Sequence, residues 1–272
     1  MQLVELNGAN IEYDVIGSGE PLLLIHGSIL ANAFASLLKE PSLANRYRLI
    51  TYHRRGFAGS DRAIAPFTIK EQAADARALL QHLRITQAHV AGHSYGGVIA
   101  TQLCLDAPEL VHSLALLEPA FVALVPSGTK FFETFASIQS VYDRGDRTGA
   151  TDSFLTGVLG PEYRPLLQTH FPPGAFEQGV ADIDTFFQIE VPGAQQFTIT
   201  AEDIARIRQP VLAVLGSESE PIFHEIHSWI RQRIKHAEEL IVEATHALQY
   251  MNPPAVADGL ARFLADHGFS SH

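Results

Sequence analysis

The chain has 272 residues, 46% of them hydrophobic, which allows one large domain with a sizeable core and excludes a disordered, collagen-like or disulfide-stapled protein. A net charge of −11 argues against nucleic acid and against an anionic membrane surface, since both need clustered Lys and Arg. One cysteine, Cys104, cannot form an internal disulfide, and the start Met1-Gln2-Leu3-Val4-Glu5-Leu6-Asn7 lacks the basic and apolar regions of a secretion signal, so the expectation is a cytoplasmic protein without a membrane span.

Leu3 to Leu6 and Ile11 to Ile16 read as two strands, with Asn7-Gly8 between them as a hairpin signal. Pro21 to Ile25 is a continuous apolar run, as a strand buried on both faces requires, and Tyr47 to Tyr52 is a fourth strand. Thr68 to Leu83 is a helix: Thr68 and Glu71 form a capping-box pattern, and Ile69, Ala73, Ala76, Leu80 and Leu83 recur at helical spacing. Gln87 to Ala91 is a strand, Tyr95 to Asp106 a helix that stops near Pro108, and Leu114 to Leu117 the next strand.

The pattern changes after Glu118. From Ala120 to Ala205 no clear strand appears, and the stretch reads as helices broken by Pro and Gly. It holds half of the chain's 24 aromatics (ten Phe and two Tyr) and 11 acidic residues against 4 basic ones, which suits a neutral or apolar ligand and repels a phosphorylated one. Alternation then resumes, with strands at Pro210 to Leu215 and Glu239 to Val242 and helices at Ile222 to Ile234 and Ala255 to Ala265. The pattern predicts an α/β protein with an eight-stranded, mostly parallel sheet covered on both faces. Residues 1–119 and 206–272 are expected to form the core domain, and 120–205 a helical cap over the C-terminal ends of the strands, where open α/β sheets bind ligands.

The chemistry concentrates in Gly92-His93-Ser94-Tyr95-Gly96-Gly97, a G-x-S-x-G pattern between an apolar strand and a helix. Such a turn lifts the Ser94 hydroxyl out of the sheet, and the helix behind it directs its positive end at developing negative charge. His26-Gly27-Ser28 follows the third strand, and Arg55-Gly56-Phe57-Ala58-Gly59-Ser60-Asp61 follows the fourth. With these motifs the chain resembles the α/β-hydrolase family over nearly its whole length. The resemblance implies Ser94 as nucleophile and backbone N–H groups of Tyr95 and Ser28 as oxyanion donors, with His26 serving only to shape its loop. It also implies a general base after the last strand and before the final helix, a place that only His246 fills, since His267 and His272 lie in the tail.

The acid has two candidate places. The usual family position follows the seventh strand in a Gly-x-x-Asp pattern, and here it holds Ser219, flanked by Glu218 and Glu220. Some haloalkane dehalogenases and zearalenone-type lactonases resemble each other in carrying a Glu after the sixth strand, and Glu118 stands at that place. Glu118 is favoured because a Glu directly behind a buried strand needs a partner, which His246 could be. Glu218 and Glu220 stay open as alternatives.

The resemblance implies acyl transfer to water from an ester or lactone, without a cofactor. Family dehalogenases and epoxide hydrolases use Asp as nucleophile, which Ser94 disfavours. A cofactor-free lyase, a C–C hydrolase, a haloperoxidase-like enzyme and a small-molecule receptor share the same residues and remain alternatives, as does a homodimer. His224 and His227 are three apart on a predicted helix, but no third ligand accompanies them, so no metal is expected and both are assigned to a solvated face.

Overall fold

The computed structural model describes residues 1–62, 67–195 and 199–269; Phe197, counted among the aromatics above, and His272 lie outside them. A single eight-stranded sheet runs through the molecule, comprising β1 (Gln2–Leu6), β2 (Ala9–Ile16), β3 (Glu20–Ile25), β4 (Tyr47–Tyr52), β5 (Ala88–His93), β6 (Val111–Leu117), β7 (Val211–Gly216) and β8 (Glu238–Val242). Its order is β1-β2-β4-β3-β5-β6-β7-β8. The β1–β2 and β2–β4 pairs are antiparallel and the other five are parallel. The hairpin signal is realised directly: Leu6 pairs with Ala9 across Asn7 and Gly8, which both have positive φ.

Successive residues of β3 feed opposite faces. Leu23 and Ile25 join one buried cluster, Leu22 and Leu24 the other. A strand covered on both sides has no polar face to alternate with, which is why it reads as an unbroken apolar run. β6 begins three residues before the predicted Leu114, because His112 and Ser113 interrupt the apolar signal. The structure accommodates Ser113 by pairing its hydroxyl with Nδ1 of buried His89 at 2.7 Å.

The helices are α1 (Pro41–Ala44), α2 (Ile69–His82), α3 (Tyr95–Asp106), α4 (Gly128–Asp143), α5 (Arg147–Leu159), α6 (Tyr163–His170), α7 (Ala175–Thr185), α8 (Val191–Gln195), α9 (Ala201–Ala205), α10 (Pro221–Arg233), α11 (Leu248–Met251) and α12 (Pro253–Asp266). The Thr68–Glu71 capping box opens α2 as the sequence requires. The two four-residue helices, α1 and α11, are too short to carry a periodic signal and were not foreseen. Helices α4 to α9 all fall between β6 and β7, and a π-helical turn, Phe186–Glu190, continues α7. No helix among the described residues is long and apolar enough to cross a membrane.

The inserted helices hold together through an aromatic cluster. Phe135 lies 5.4 Å from Phe186 and 5.8 Å from Phe187, and Tyr142 stacks on Phe187 at 4.3 Å. They are tied to the loop after β4 by polar contacts. Thr185 donates to the Gly56 carbonyl at 2.6 Å, Asp182 accepts from the Ala58 N–H at 3.0 Å, and Arg62 pairs with Asp182 at 2.5 Å.

Candidate active site

Ser94 sits between the end of β5 and the start of α3 with φ 54° and ψ −122°. This backbone region costs a non-glycine residue about 1–3 kcal/mol and persists only where the surroundings enforce it. The enforcement is steric. A Cβ on Gly92 would lie 2.3 Å from the Gly96 carbonyl oxygen, and one on Gly96 would lie 2.1 Å from that of Ile25. Only glycine permits strand and helix to approach so closely, and that approach forces the turn at Ser94.

Glu118 directly follows β6 and also has positive φ, 44°. Its side chain is buried, and three donors surround the carboxylate. Oε1 accepts from the Gly216 N–H and from the Ser219 hydroxyl, each at 2.6 Å, and Oε2 faces His246 Nδ1 at 2.6 Å. Such charge-assisted bonds offset the desolvation that would otherwise forbid a carboxylate there. Glu218 and Glu220, the alternative acids, are both exposed, and neither bonds His246.

His246 is buried, with Phe223 stacked at 4.0 Å and His93 at 4.7 Å. With Nδ1–H donating to Glu118, Nε2 is left as the basic nitrogen. His93, which sequence reasoning passed over as a variable position of the elbow, donates from Nε2 to the His246 carbonyl at 2.9 Å and so holds the loop that carries it. Burial and the neighbouring His246 keep the His93 pKa well below the usual histidine value. Its position within G-x-S-x-G was the available signal, since residue x before the serine closes β5 beside whatever follows β8.

Ser28 follows β3, and Tyr95 opens α3. Among the described residues the backbone N–H of neither is committed to a carbonyl. The Leu30 N–H bonds the Ser28 carbonyl at 2.7 Å across Ile29, whose φ is 66°. This is a γ-turn with positive φ, a strained form for a β-branched residue. His26 is buried and has a structural role: its Nε2 accepts from the Arg54 N–H at 3.0 Å and its Nδ1 donates to the Gly27 carbonyl at 2.7 Å. Burial, followed by the Arg54 charge, holds its pKa well below the ordinary value.

A narrow cavity of about 30 Å³ joins these pieces. Gly27 and Ser28 line it from the β3 loop, Ser94 from the elbow and His246 from the β8 loop. Phe154, Leu155, Val158 and Leu159 of α5 close it from above. Apart from His93, His246 and Tyr250, whose phenol pKa is raised by burial, no lining side chain is ionisable.

The paired histidines of α10 need correcting. His227 is not solvated: it is buried, and its Nε2 donates to Glu239 at 2.8 Å. Among the described residues no group of three or more His, Cys, Asp and Glu could hold a metal ion.

Over 195 residues the chain is 31% identical to the soluble epoxide hydrolase of Corynebacterium sp. (strain C12), covering 70% of this chain and 66% of that one. It is 38% identical over 125 residues to the uncharacterized hydrolase YraK of Bacillus subtilis (strain 168), 45% of each chain. The chain thus spans less than half the length of the latter. A thermophilic esterase from Thermogutta terrifontis superposes with a TM-score of 0.81 at 18% identity, covering 99% of this chain and 100% of that one, a likeness of fold alone. Residues 20–253 match the sequence profile of the alpha/beta hydrolase fold, and the chain belongs to that family.

Proposed function

We propose that the protein is a serine hydrolase that cleaves an ester or lactone of a neutral, largely apolar small molecule through an acyl-enzyme. One observation carries the reading: the carboxylate of Glu118 meets Nδ1 of His246 at 2.6 Å, and His246 and the strained Ser94 line one cavity. Nδ1–H held by a carboxylate leaves Nε2 to take the Ser94 proton, and Glu118 stabilises the imidazolium that results. Ser94 Oγ attacks the carbonyl carbon, and the N–H groups of Ser28 and Tyr95 donate to the oxyanion, each worth about 100- to 1000-fold in turnover. His246 returns its proton to the departing alcohol. Water then repeats the sequence on the acyl-enzyme and frees Ser94.

The substrate class follows from the lining. Leu30, Phe154, Leu155, Val158 and Leu159 offer no partner for a charged group. In this reading residues 1–119 and 206–272 are the catalytic core and 120–205 the cap. The similarity to an epoxide hydrolase does not redirect the chemistry, because the epoxide-opening branch of the family carries Asp where this chain has Ser94.

The test is labelling with a fluorophosphonate, peptide mapping of the adduct, and a panel of chromogenic esters of increasing acyl length. Adduct on Ser94 together with ester turnover is the expected result. Absence of both would overturn the reading.

A further inference from the structure

Arg54 is the largest fully buried side chain of the molecule. It follows β4, outside the residues proposed to react, and among the described residues its side-chain hydrogen bonds go to the loop of Ser28, to Gln72 of α2 and to Glu190 of the inserted helices. Its Nε donates to the His26 carbonyl at 3.0 Å and its Nη2 to the Gly27 carbonyl at 2.7 Å. Its Nη1 donates to Gln72 at 2.6 Å and is paired with Glu190. The guanidinium carbon lies 4.6 Å from the ring centre of Phe57 and 5.4 Å from that of Tyr95. Glu190 is fully buried in the π-helical turn after α7, a local widening that often marks a functional position.

The peptide plane connects these contacts to the chemistry. The Gly27 carbonyl and the Ser28 N–H belong to one planar trans unit, so they point in opposite directions. The Gly27 oxygen is held by two donors, Arg54 Nη2 and His26 Nδ1, both at 2.7 Å. Fixing that oxygen aims the Ser28 N–H away from Arg54, toward the cavity that Ser28 lines. Stability alone does not explain the ion pair. The second carboxylate oxygen of Glu190 is buried with no hydrogen-bond partner among the described residues, and an apolar pair of similar volume commonly serves a core as well or better.

We propose that Arg54 is a positioning residue that couples the inserted helices to the oxyanion hole: Glu190 holds the guanidinium, the guanidinium holds the Gly27 carbonyl, and that carbonyl sets the direction of the Ser28 N–H. The hole is then complete only while the turn carrying Glu190 is seated. The inference rests on the serine-hydrolase reading for its catalytic consequence, but the mechanical coupling does not depend on it.

The experiment uses the full chain and the double variant Arg54→Met, Glu190→Leu, which removes both charges together. Turnover is measured per fluorophosphonate-titrated site, so that misfolded protein does not count. Affinity is measured for a trifluoromethyl ketone matched to the best ester, whose adduct places an oxyanion in the hole. Hydrogen exchange is followed in the segment 26–33. The expected result is a Tm close to that of the wild type, kcat lowered about 10- to 100-fold with KM unchanged, ketone affinity lowered in parallel, and faster exchange in the segment. A double variant that keeps wild-type kcat and ketone affinity overturns the proposal.

Should the double variant not fold, Arg54→Lys decides by the same readouts. Lysine keeps the charge beside Glu190 but has one nitrogen for two carbonyls, so wild-type rates would overturn the proposal there too. A wild-type protein that neither labels nor turns over esters defeats the functional reading instead. The exchange measurement then stands by itself: faster exchange supports the coupling and unchanged exchange overturns it.

Discussion

The hydroxyl of Ser219 donates a 2.6 Å hydrogen bond to Oε1 of Glu118, across the gap between the ends of β7 and β6. Ser219 occupies the place after β7 where the family pattern carries an Asp. The carboxylate comes from the neighbouring strand instead, and the β7 loop supplies two of its donors, Ser219 and the Gly216 N–H.

This division of labour predicts unequal losses. Glu118→Gln should lower kcat by on the order of 1000- to 10,000-fold, because an amide can stabilise the wrong imidazole tautomer and not the imidazolium. Ser219→Ala removes one donor of three and should cost about 10-fold. Glu218→Gln and Glu220→Gln alter exposed groups and should leave turnover unchanged. Ester hydrolysis by the four variants checks the order, and wild-type activity in Glu118→Gln would return the acid role to the β7 loop.

Ser94 combines reactivity with strain, so its variants should separate activity from stability. Ser94→Ala should lower turnover by about a millionfold while the protein stays folded. Ser94→Gly should be at least as stable as Ser94→Ala, since relief of about 1–3 kcal/mol of backbone strain outweighs the roughly 0.5–1 kcal/mol entropic cost of glycine. Thermal unfolding of both variants gives the comparison; a clearly less stable glycine variant would mean the turn is not strained.

Stability should fall in acid for an identifiable reason. His26 and His93 are buried, and both have pKa values held well below the ordinary one, His26 beside Arg54, His53 and His93, and His93 beside His246. The folded protein therefore keeps them neutral where the unfolded chain takes up protons, near pH 6.5. Their contribution is complete above that pH and is lost as pH falls below it, by up to about 1.4 kcal/mol per pH unit for each histidine. His93→Gln keeps a donor for the His246 carbonyl and removes one titrating group. Urea unfolding at pH 7.5, 6.5 and 5.5 should show a shallower acid slope in that variant, and equal slopes would remove His93 from the account.

Phe154 and Val158 are one helical turn apart on α5, on the face that closes the cavity. Phe154→Ala should shift the preferred acyl chain toward greater length, with kcat/KM for the longest esters rising about 10-fold relative to the shortest. An unchanged chain-length profile would show that the acyl group does not lie under α5.

Much of this site was legible before the fold was known, wherever the rule was local. The Asn7-Gly8 turn, the capping box at Thr68 and the elbow around Ser94 each depend on a few adjacent residues, so their spacing suffices to recognise them. Strand limits were less legible where polar residues sit inside a strand, as His112 and Ser113 do in β6. Helices α1 and α11 escaped because four residues cannot show a period. His227 was misplaced because its partner, Glu239, lies on a different element.

The sequence by itself singled out the candidate residues: Ser94 between its glycines, His246 after the last strand, and Glu118 behind β6, favoured over Glu218 and Glu220. Those candidates rest on short motifs, on chain order and on what the family resemblance implies. Only the tertiary structure decided how the residues are held. That Ser219 donates to Glu118, that Phe223 and His93 flank His246, and that Arg54 spans from the Gly27 carbonyl to Glu190 are contacts between segments as many as 153 positions apart. Local propensity says nothing about which side chains will meet across a sheet, because that depends on strand order and on the angle at which each loop leaves its strand.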